Sequence, residues 1–170
     1  MSGTAGVQIA FARSGAGAPI VLVHGSGGGL DSWAPVAPFL QNDFELWTYA
    51  RRGYTPSGIG ADPKTYADDV GDLSAVLDPD LIAAAEAHTA DLEAMVADDP
   101  DVARWSGIEV PTLLLQGSDT WDPMPATMDD LAAALPVPPR RVTVEGASHF
   151  ASHTAPAAFA TAVRSFVETH

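Results

Sequence analysis

Short runs of apolar residues mark the strands that this chain is predicted to form. The clearest runs are Pro19 to Val23, Phe44 to Tyr49, Thr112 to Gln116 and Val142 to Glu145. Continuous apolar runs of this length are typical of strands that are covered on both faces of a parallel sheet. A further run, Val7 to Arg13, precedes a turn over Ser14 to Gly17 and predicts an edge strand.

Stretches with helical spacing of apolar residues lie between these runs. The predicted helices begin at Asp31, extend over Tyr66 to Leu77 and from Asp78 to about Ala97, and include Met128 to Leu135 and Phe159 to Val167. Such amphipathic stretches place one apolar stripe against a core. Strands that alternate with helices predict an α/β fold, a three-layer sandwich with a mainly parallel sheet.

Composition narrows the class of protein. The chain has 170 residues, of which 46% are hydrophobic, and it is expected to form a single globular domain over residues 1–170. Its 22 acidic and 8 basic residues give a net charge of -14, which opposes binding to nucleic acid or to an anionic membrane. A small neutral or cationic substrate is easier to accommodate. The beginning of the chain does not read as a signal peptide, so a cytoplasmic location is expected.

The abundance of alanine, and the excess of arginine over the single Lys64, are typical of a GC-rich bacterial genome. Cysteine is absent, which excludes disulfides and thiolate metal sites. No group of histidines or acids has metal-ligand spacing, so neither a metal nor a cofactor is expected.

A glycine-rich loop follows the Pro19 to Val23 run directly. It reads His24-Gly25-Ser26-Gly27-Gly28-Gly29. Glycines allow backbone N–H groups to approach a substrate oxyanion, so Gly25 to Gly27 are candidate oxyanion donors. Ser26 is the one conceivable replacement nucleophile, although we interpret it as an ordinary loop hydroxyl. The loop lacks the Lys and Ser/Thr of a phosphate-binding P-loop.

Four ordered segments resemble the α/β-hydrolase family. They are Pro19 to Gly29, Tyr49 to Gly58, Val110 to Pro123 and Val144 to Phe159. In the family these segments look like the oxyanion loop, an Arg-Gly-Tyr turn, the strand that carries the catalytic acid, and the region around the catalytic histidine. The resemblance implies an α/β-hydrolase fold.

The middle of the chain departs from this family. No G-x-S-x-G nucleophile motif occurs anywhere. The helix over Tyr66 to Leu77 runs into Asp78 to Asp98, which resembles a lid or crossover helix, and then into the strand of the acid. The resemblance therefore implies a shortened member that lacks the nucleophile strand and one adjacent strand.

The resemblance also implies a set of site residues. His149 matches the catalytic histidine and is expected to act as a general base. Asp119 is the first candidate for its acidic partner and Asp122 is the second, since the spacing does not decide between them. Candidate residues for the oxyanion or for substrate contacts are His24, Gly25, Gly27, Trp33, Tyr54 and Trp121. Arg51 and Arg52 are expected to be mainly structural.

The missing strands leave two alternatives for the sheet. If the Thr112 strand pairs with the Pro19 strand, the strand order reverses between them, and a crevice forms at such a point in an open parallel sheet. If the gap stays open, the Pro19 strand exposes an apolar edge, which predicts pairing with another chain as a homodimer.

Three functional hypotheses follow. The first is a small-molecule enzyme in which His149 and an aspartate provide acid/base chemistry, as a lyase, cyclase or isomerase, with secondary metabolism as its setting. The second is a residual ester hydrolase that uses Ser26 or an activated water. The third is a non-catalytic relic that binds a ligand or oligomerises.

Overall fold

The computed structural model describes residues 8–59, 65–77 and 101–170. The chain groups into two compact units, the first formed by Met1–Ala37 and Gln41–Asp98, and the second by Pro38–Leu40 and Asp99–His170. The helix predicted from Asp78 to Ala97, and with it the lid-like segment to Asp98, lies outside the described residues. The single domain stays a prediction.

The first unit contains a three-stranded sheet. Strand β1 is Phe11–Gly15, β2 is Ala18–Val23 and β3 is Phe44–Tyr49, and their order in the sheet is β1-β3-β2. Strand β2 pairs with β3 in parallel, whereas β1 pairs with β3 antiparallel. The central position of β3 explains its deep burial, with Leu46 and Tyr49 each 1% exposed.

The predicted edge strand is shifted along the chain. Strand β1 begins at Phe11 rather than Val7, which precedes the described residues, and it runs to Gly15 through the first part of the predicted turn. The strand extends because Ser14 and Gly15 pair with Leu46 and Glu45 of β3. Next to them, Arg13 pairs with Glu45, and its guanidinium lies 4.1 Å from the ring centre of Trp47. These cross-strand contacts hold Arg13 in the ladder with β3.

Strand β2 is parallel, as predicted, but it is not covered on both faces. Leu22 is buried while Val23 is 41% exposed. Among the strands of the first unit, β2 pairs with β3, and the predicted pairing of the Pro19 and Thr112 strands, which belong to different units, stays a prediction. The homodimer that an open β2 edge implies stays a prediction.

Two helices lie in the first half of the chain, and residues 38–40 of the first of them group with the second unit. Helix α1 covers Ala37–Leu40 and begins later than the predicted start at Asp31. Turns occupy the residues between, because the N–H of Ala34 donates to the carbonyl of Asp31 and the N–H of Val36 donates to the carbonyl of Trp33. Helix α2 covers Tyr66–Leu77, as predicted.

Ion pairs attach α2 to the turn that follows β3. Arg51 pairs with Asp69 at 2.6 Å, and Arg52 donates to both carboxylate oxygens of Asp72 at 2.6 and 2.8 Å. The hydrogen bonds to Asp72 raise the pKa of Arg52, whereas burial raises the pKa of Asp72 despite the opposing effect of Arg52. Both arginines are therefore structural, as expected.

The second unit contains a two-stranded parallel sheet, formed by β4, Leu113–Gly117, and β5, Arg140–Val144. Its helices are a 3₁₀ helix at Val102–Gly107, α3 at Met124–Ala134, α4 at Ala151–Thr154 and α5 at Pro156–Val167. Strand β5 begins two residues earlier than predicted, because the N–H of Arg140 donates to the carbonyl of Thr112 at 2.9 Å.

The core of this unit lies where β5 leads into the last helices. Val144, Ala147 and Ala151 are buried together, and Phe159 packs against them. Strands alternating with helices and parallel pairing confirm the α/β class. Across the described ranges, no helix has both the length and the apolar character needed to cross a membrane.

We expect Asp72→Ala to lower the free energy of unfolding by roughly 3 kcal/mol, because Arg52 would lose its principal partner while remaining largely buried. Urea denaturation measures this change. Glu45→Gln is the matched control, since the pair of Arg13 and Glu45 is more exposed and should change stability little. A similar loss in both variants would contradict the structural role of the α2 ion pairs.

Tyr49 gives the first unit a defined response to alkaline pH. Burial raises the pKa of Tyr49 from 10.0 to about 12. Between these values the unfolded chain loses a proton that the folded chain keeps, so stability falls as pH rises. The loss should be about 3 kcal/mol, at about 1.4 kcal/mol per pKa unit. Urea unfolding from pH 9 upward should show a shallower fall for Tyr49→Phe, and an unchanged slope would argue against this assignment.

Candidate functional site

His24 is a structural residue in the first unit. It is 3% exposed, its Nε2 accepts the backbone N–H of Arg51 at 2.9 Å, and its Nδ1 lies 2.8 Å from the carbonyl oxygen of Gly25. A carbonyl can only accept, so Nδ1 carries the proton and the ring is neutral. Both ring nitrogens are used in joining the glycine loop to the turn after β3.

The glycine loop uses several of its own N–H groups. Gly27 donates to the hydroxyl of Tyr54 at 3.1 Å, Gly28 donates to the carbonyl of Gly25 at 3.1 Å, and Gly29 donates to Ser32 Oγ at 2.7 Å. While Tyr54 accepts the Gly27 N–H, that group is not available to a substrate oxyanion. The oxyanion role of Gly25 to Gly27 stays a prediction.

The other residues predicted from this half of the chain also lie in the first unit. Tyr54 is buried, with its ring edge-to-face on His24 at 4.7 Å between centroids. Ser26 is exposed on the glycine loop, and Trp33 is half-buried in the turns before α1. Asp119, Trp121, Asp122 and His149 all lie in the second unit.

In the second unit, a close backbone contact joins the ends of β4 and β5. A Cβ atom on Gly117 would lie 2.2 Å from the carbonyl oxygens of Ala147 and Ser148, so only glycine fits. The N–H of Asp119 donates to the same Ala147 carbonyl at 2.9 Å. The chain after β4 is thereby fixed to the segment that carries His149.

Ser118 forms a hydrogen bond with Asp119, the first candidate for the acidic partner of His149. Its hydroxyl donates to Asp119 Oδ1 at 2.7 Å and accepts the N–H of Gly146 at 2.8 Å. Among the described residues, no hydrogen bond joins His149 to Asp119 or to Asp122. Asp122 is exposed immediately before Pro123, the residue that precedes α3. The structure thus places both candidate acids near His149 in the fold but pairs neither carboxylate with it.

Thr120 holds the imidazole instead. Its Oγ1 lies 3.1 Å from His149 Nδ1, within hydrogen-bonding distance. The His149 ring packs on Trp121 at 4.3 Å and meets the edge of Phe150 at 5.3 Å between centroids. Trp121 is therefore a ring contact of His149, consistent with its predicted place at the site.

A small cavity lies beside Thr120 and His149. It has a volume of about 120 Å³, and its lining includes Leu115, Gln116, Thr120, Met124, Met128 and His149. None of its lining residues is a carboxylate or an ammonium. Apolar cavities of about 150 Å³ bind benzene, so this one suits an uncharged group of similar or smaller size.

Thr120 did not emerge as a site residue from the sequence. The aspartates on either side matched the expected acid, and a threonine in a polar loop carries no signal of its own. Its adjacency to Asp119 in a loop opposite a candidate histidine was the available clue. Which side chain reaches His149 depends on backbone geometry that the spacing does not specify.

Comparison with known proteins gives matches at the level of family and fold. Residues 18–98 match the family model for the alpha/beta hydrolase fold. The chain is 37% identical over 75 residues to the uncharacterized hydrolase YraK of Bacillus subtilis (strain 168), covering 41% of this chain. It is 41% identical over 56 residues to the pyrrolizixenacetamide deacetylase of Xenorhabdus hominickii, covering 32% of this chain.

A solved structure matches nearly the whole chain. A thermophilic esterase from Thermogutta terrifontis aligns with a TM-score of 0.78 and 17% identity, covering 96% of this chain and 94% of that one. This likeness shows the fold. The matches to the two curated relatives span only 28% and 20% of their lengths.

We expect Gly117→Ala to disturb the site, because the added methyl would meet two backbone carbonyls that cannot move aside independently. The free energy of unfolding should fall by about 1–3 kcal/mol or more, as in other overpacked cores. Gly107→Ala is the control, since a Cβ there meets nothing within 4 Å. Chemical denaturation checks both variants, and equal stability would contradict the close contact.

Proposed function

We propose that this chain, whose residues 18–98 match the alpha/beta hydrolase fold family, is a small-molecule enzyme in which His149 acts as the general acid and base. The observation that carries this proposal is the contact between His149 Nδ1 and Thr120 Oγ1 at 3.1 Å beside a cavity that both residues line. Histidine exchanges protons near neutral pH, and catalysis requires that its ring be held in place.

The arrangement supports proton transfer in a specific way. If Nδ1–H donates to Thr120, Nε2 is left unprotonated and can remove a proton from a substrate. Thr120 then takes the positioning role that the sequence assigned to Asp119 or Asp122. Pairing of His149 with either aspartate stays a prediction, and for Asp119 it competes with the hydrogen bond from Ser118.

The proposed reaction class follows from the missing nucleophile motif. Abstraction of a proton from an acidic carbon or hydroxyl, leading to elimination, cyclisation or isomerisation, needs a base and no covalent nucleophile. The neutral lining of the cavity favours an uncharged substrate. We place this lyase, cyclase or isomerase chemistry in secondary metabolism, without a metal or cofactor.

Hydrolysis is the second candidate, favoured by the relatives. One curated relative is a deacetylase and a structural neighbour is an esterase. In this case Ser26, or a water activated by His149, would attack an ester. A non-catalytic ligand-binding protein is the third candidate, and it predicts binding without turnover.

The proposed partners follow from charge and sheet topology. A net charge of -14 opposes nucleic acid and anionic membranes. A second copy of the chain paired along the open edge of β2 remains the proposed protein partner. The proposed location is the cytoplasm.

A substrate is first found by screening small esters, lactones and elimination substrates. On that substrate we expect His149→Ala to lower kcat/KM by roughly a hundredfold or more, because general acid/base catalysis raises reaction rates by about 10²–10⁴-fold. His153→Ala is the control, since His153 contacts Ser152 rather than Thr120 and should keep the wild-type rate. Full turnover by His149→Ala, with circular dichroism confirming that it folds, would refute the proposal.

A further inference from the structure

Two hydroxyls line the cavity, those of Thr120 and Thr127, and one of them contacts a base. The hydroxyl of Thr127 donates to the carbonyl of Pro123 at 3.2 Å. Thr120 Oγ1 instead lies 3.1 Å from His149 Nδ1. A hydroxyl and a basic nitrogen within about 2.6–3.2 Å form the basic unit of nucleophilic catalysis.

From this arrangement we propose that Thr120 is a nucleophile for acyl transfer from small neutral esters. The proposal rests on the proposed role of His149 as a base and adds a covalent activity at the same site. It uses the opposite tautomer to the one that makes Nε2 the base: here Nε2 carries the proton, and Nδ1 accepts the Thr120 hydroxyl. Thr120 then occupies the chemical role that the family assigns to a serine this chain lacks.

The backbone around Thr120 is well supported. Its N–H reaches back to the Gly117 carbonyl at 3.4 Å, and the preceding residue, Asp119, donates to Ala147 at 2.9 Å. Gly117 itself lies against the segment that leads to His149. The hydroxyl and the imidazole are therefore held by the same set of backbone contacts, which favours a reproducible attack geometry.

The surroundings are compatible with negative charge on the attacked carbonyl oxygen. Met124 and Thr127, from the first turn of α3, line the cavity. The N-terminal end of a helix carries a partial positive charge that stabilises nearby anions. The first turn of α3 contains no acidic residue that would oppose this effect.

The reaction balances without any additional reagent. Thr120 Oγ1 forms a bond to the ester carbonyl carbon as its proton passes to His149 Nδ1, and the carbonyl electron pair moves to oxygen. Collapse of this intermediate breaks the bond to the alkoxy oxygen, and the departing alcohol takes the proton from His149. Water, deprotonated by His149, then releases the acid and restores the Thr120 hydroxyl.

The size and chemistry of the cavity define the substrate class. With a volume of about 120 Å³ and no charged lining residue, it suits short acyl groups such as acetyl. Threonine presents a secondary hydroxyl, which is more crowded than that of serine. Acylation should therefore be slow in the native chain and faster in Thr120→Ser.

The test uses the full chain with p-nitrophenyl acetate, followed by intact-protein and peptide mass spectrometry. We expect an acetyl group on Thr120, faster acylation of Thr120→Ser, and loss of the adduct in Thr120→Val, which keeps the shape of the side chain. Thr161→Val is the matched control, because the Thr161 hydroxyl donates to the Ala157 carbonyl at 2.9 Å within α5 and lies outside the cavity lining, and this variant should still be acetylated at Thr120.

Other outcomes separate this proposal from the proposed function. If Thr120→Val keeps turnover that His149→Ala abolishes, His149 remains the base and the nucleophilic role of Thr120 is wrong. An adduct on Ser26, or acetylation of Thr120 that persists unchanged in His149→Ala, would also overturn it. Thermal unfolding of each variant verifies that a lost adduct does not reflect a lost fold.

Discussion

The contact between Gly117 and the carbonyls of Ala147 and Ser148 is the constraint on which the second unit depends. Because a Cβ would come within 2.2 Å of both oxygens, the backbone can approach this closely only at glycine. The contact brings together two loops that are 30 residues apart in sequence, and Ser118 reinforces it by accepting the N–H of Gly146. Thr120 and His149 meet as a consequence.

The first unit has a comparable anchor. The neutral ring of His24 joins the glycine loop to Arg51, and the guanidinium groups of Arg51 and Arg52 hold α2 through buried carboxylates. In the sequence, His24, Arg51 and Arg52 could be interpreted as residues that contact a substrate. The partners described above for them are other residues of the chain. The glycine loop is thus a tightly hydrogen-bonded element: its Gly28 N–H donates within the loop, and those of Gly27 and Gly29 donate to Tyr54 and Ser32.

The sequence predicted the elements better than the contacts of their side chains. Phe44 to Tyr49 and Tyr66 to Leu77 were identified with their observed bounds, because periodicity reports burial of a whole segment. The extension of β1 to Gly15 was not predicted, since it depends on Ser14 and Gly15 pairing with Leu46 and Glu45 across the sheet. Likewise, the spacing of Asp119 and Asp122 predicted an acidic partner for His149. In the structure, Asp119 accepts a hydrogen bond from Ser118, and the side chain that contacts His149 Nδ1 is Thr120.

The contact between Thr120 Oγ1 and His149 Nδ1 at 3.1 Å holds the imidazole beside the cavity of the second unit. Nitrogen-15 NMR of the histidine side chains, compared between the native chain and Thr120→Val, tests it directly. The Nδ1 resonance of His149 should move when the hydroxyl is removed, while that of His153 stays in place. Identical His149 resonances in the two proteins, or a shift produced instead by Asp119→Asn or Asp122→Asn, would contradict it.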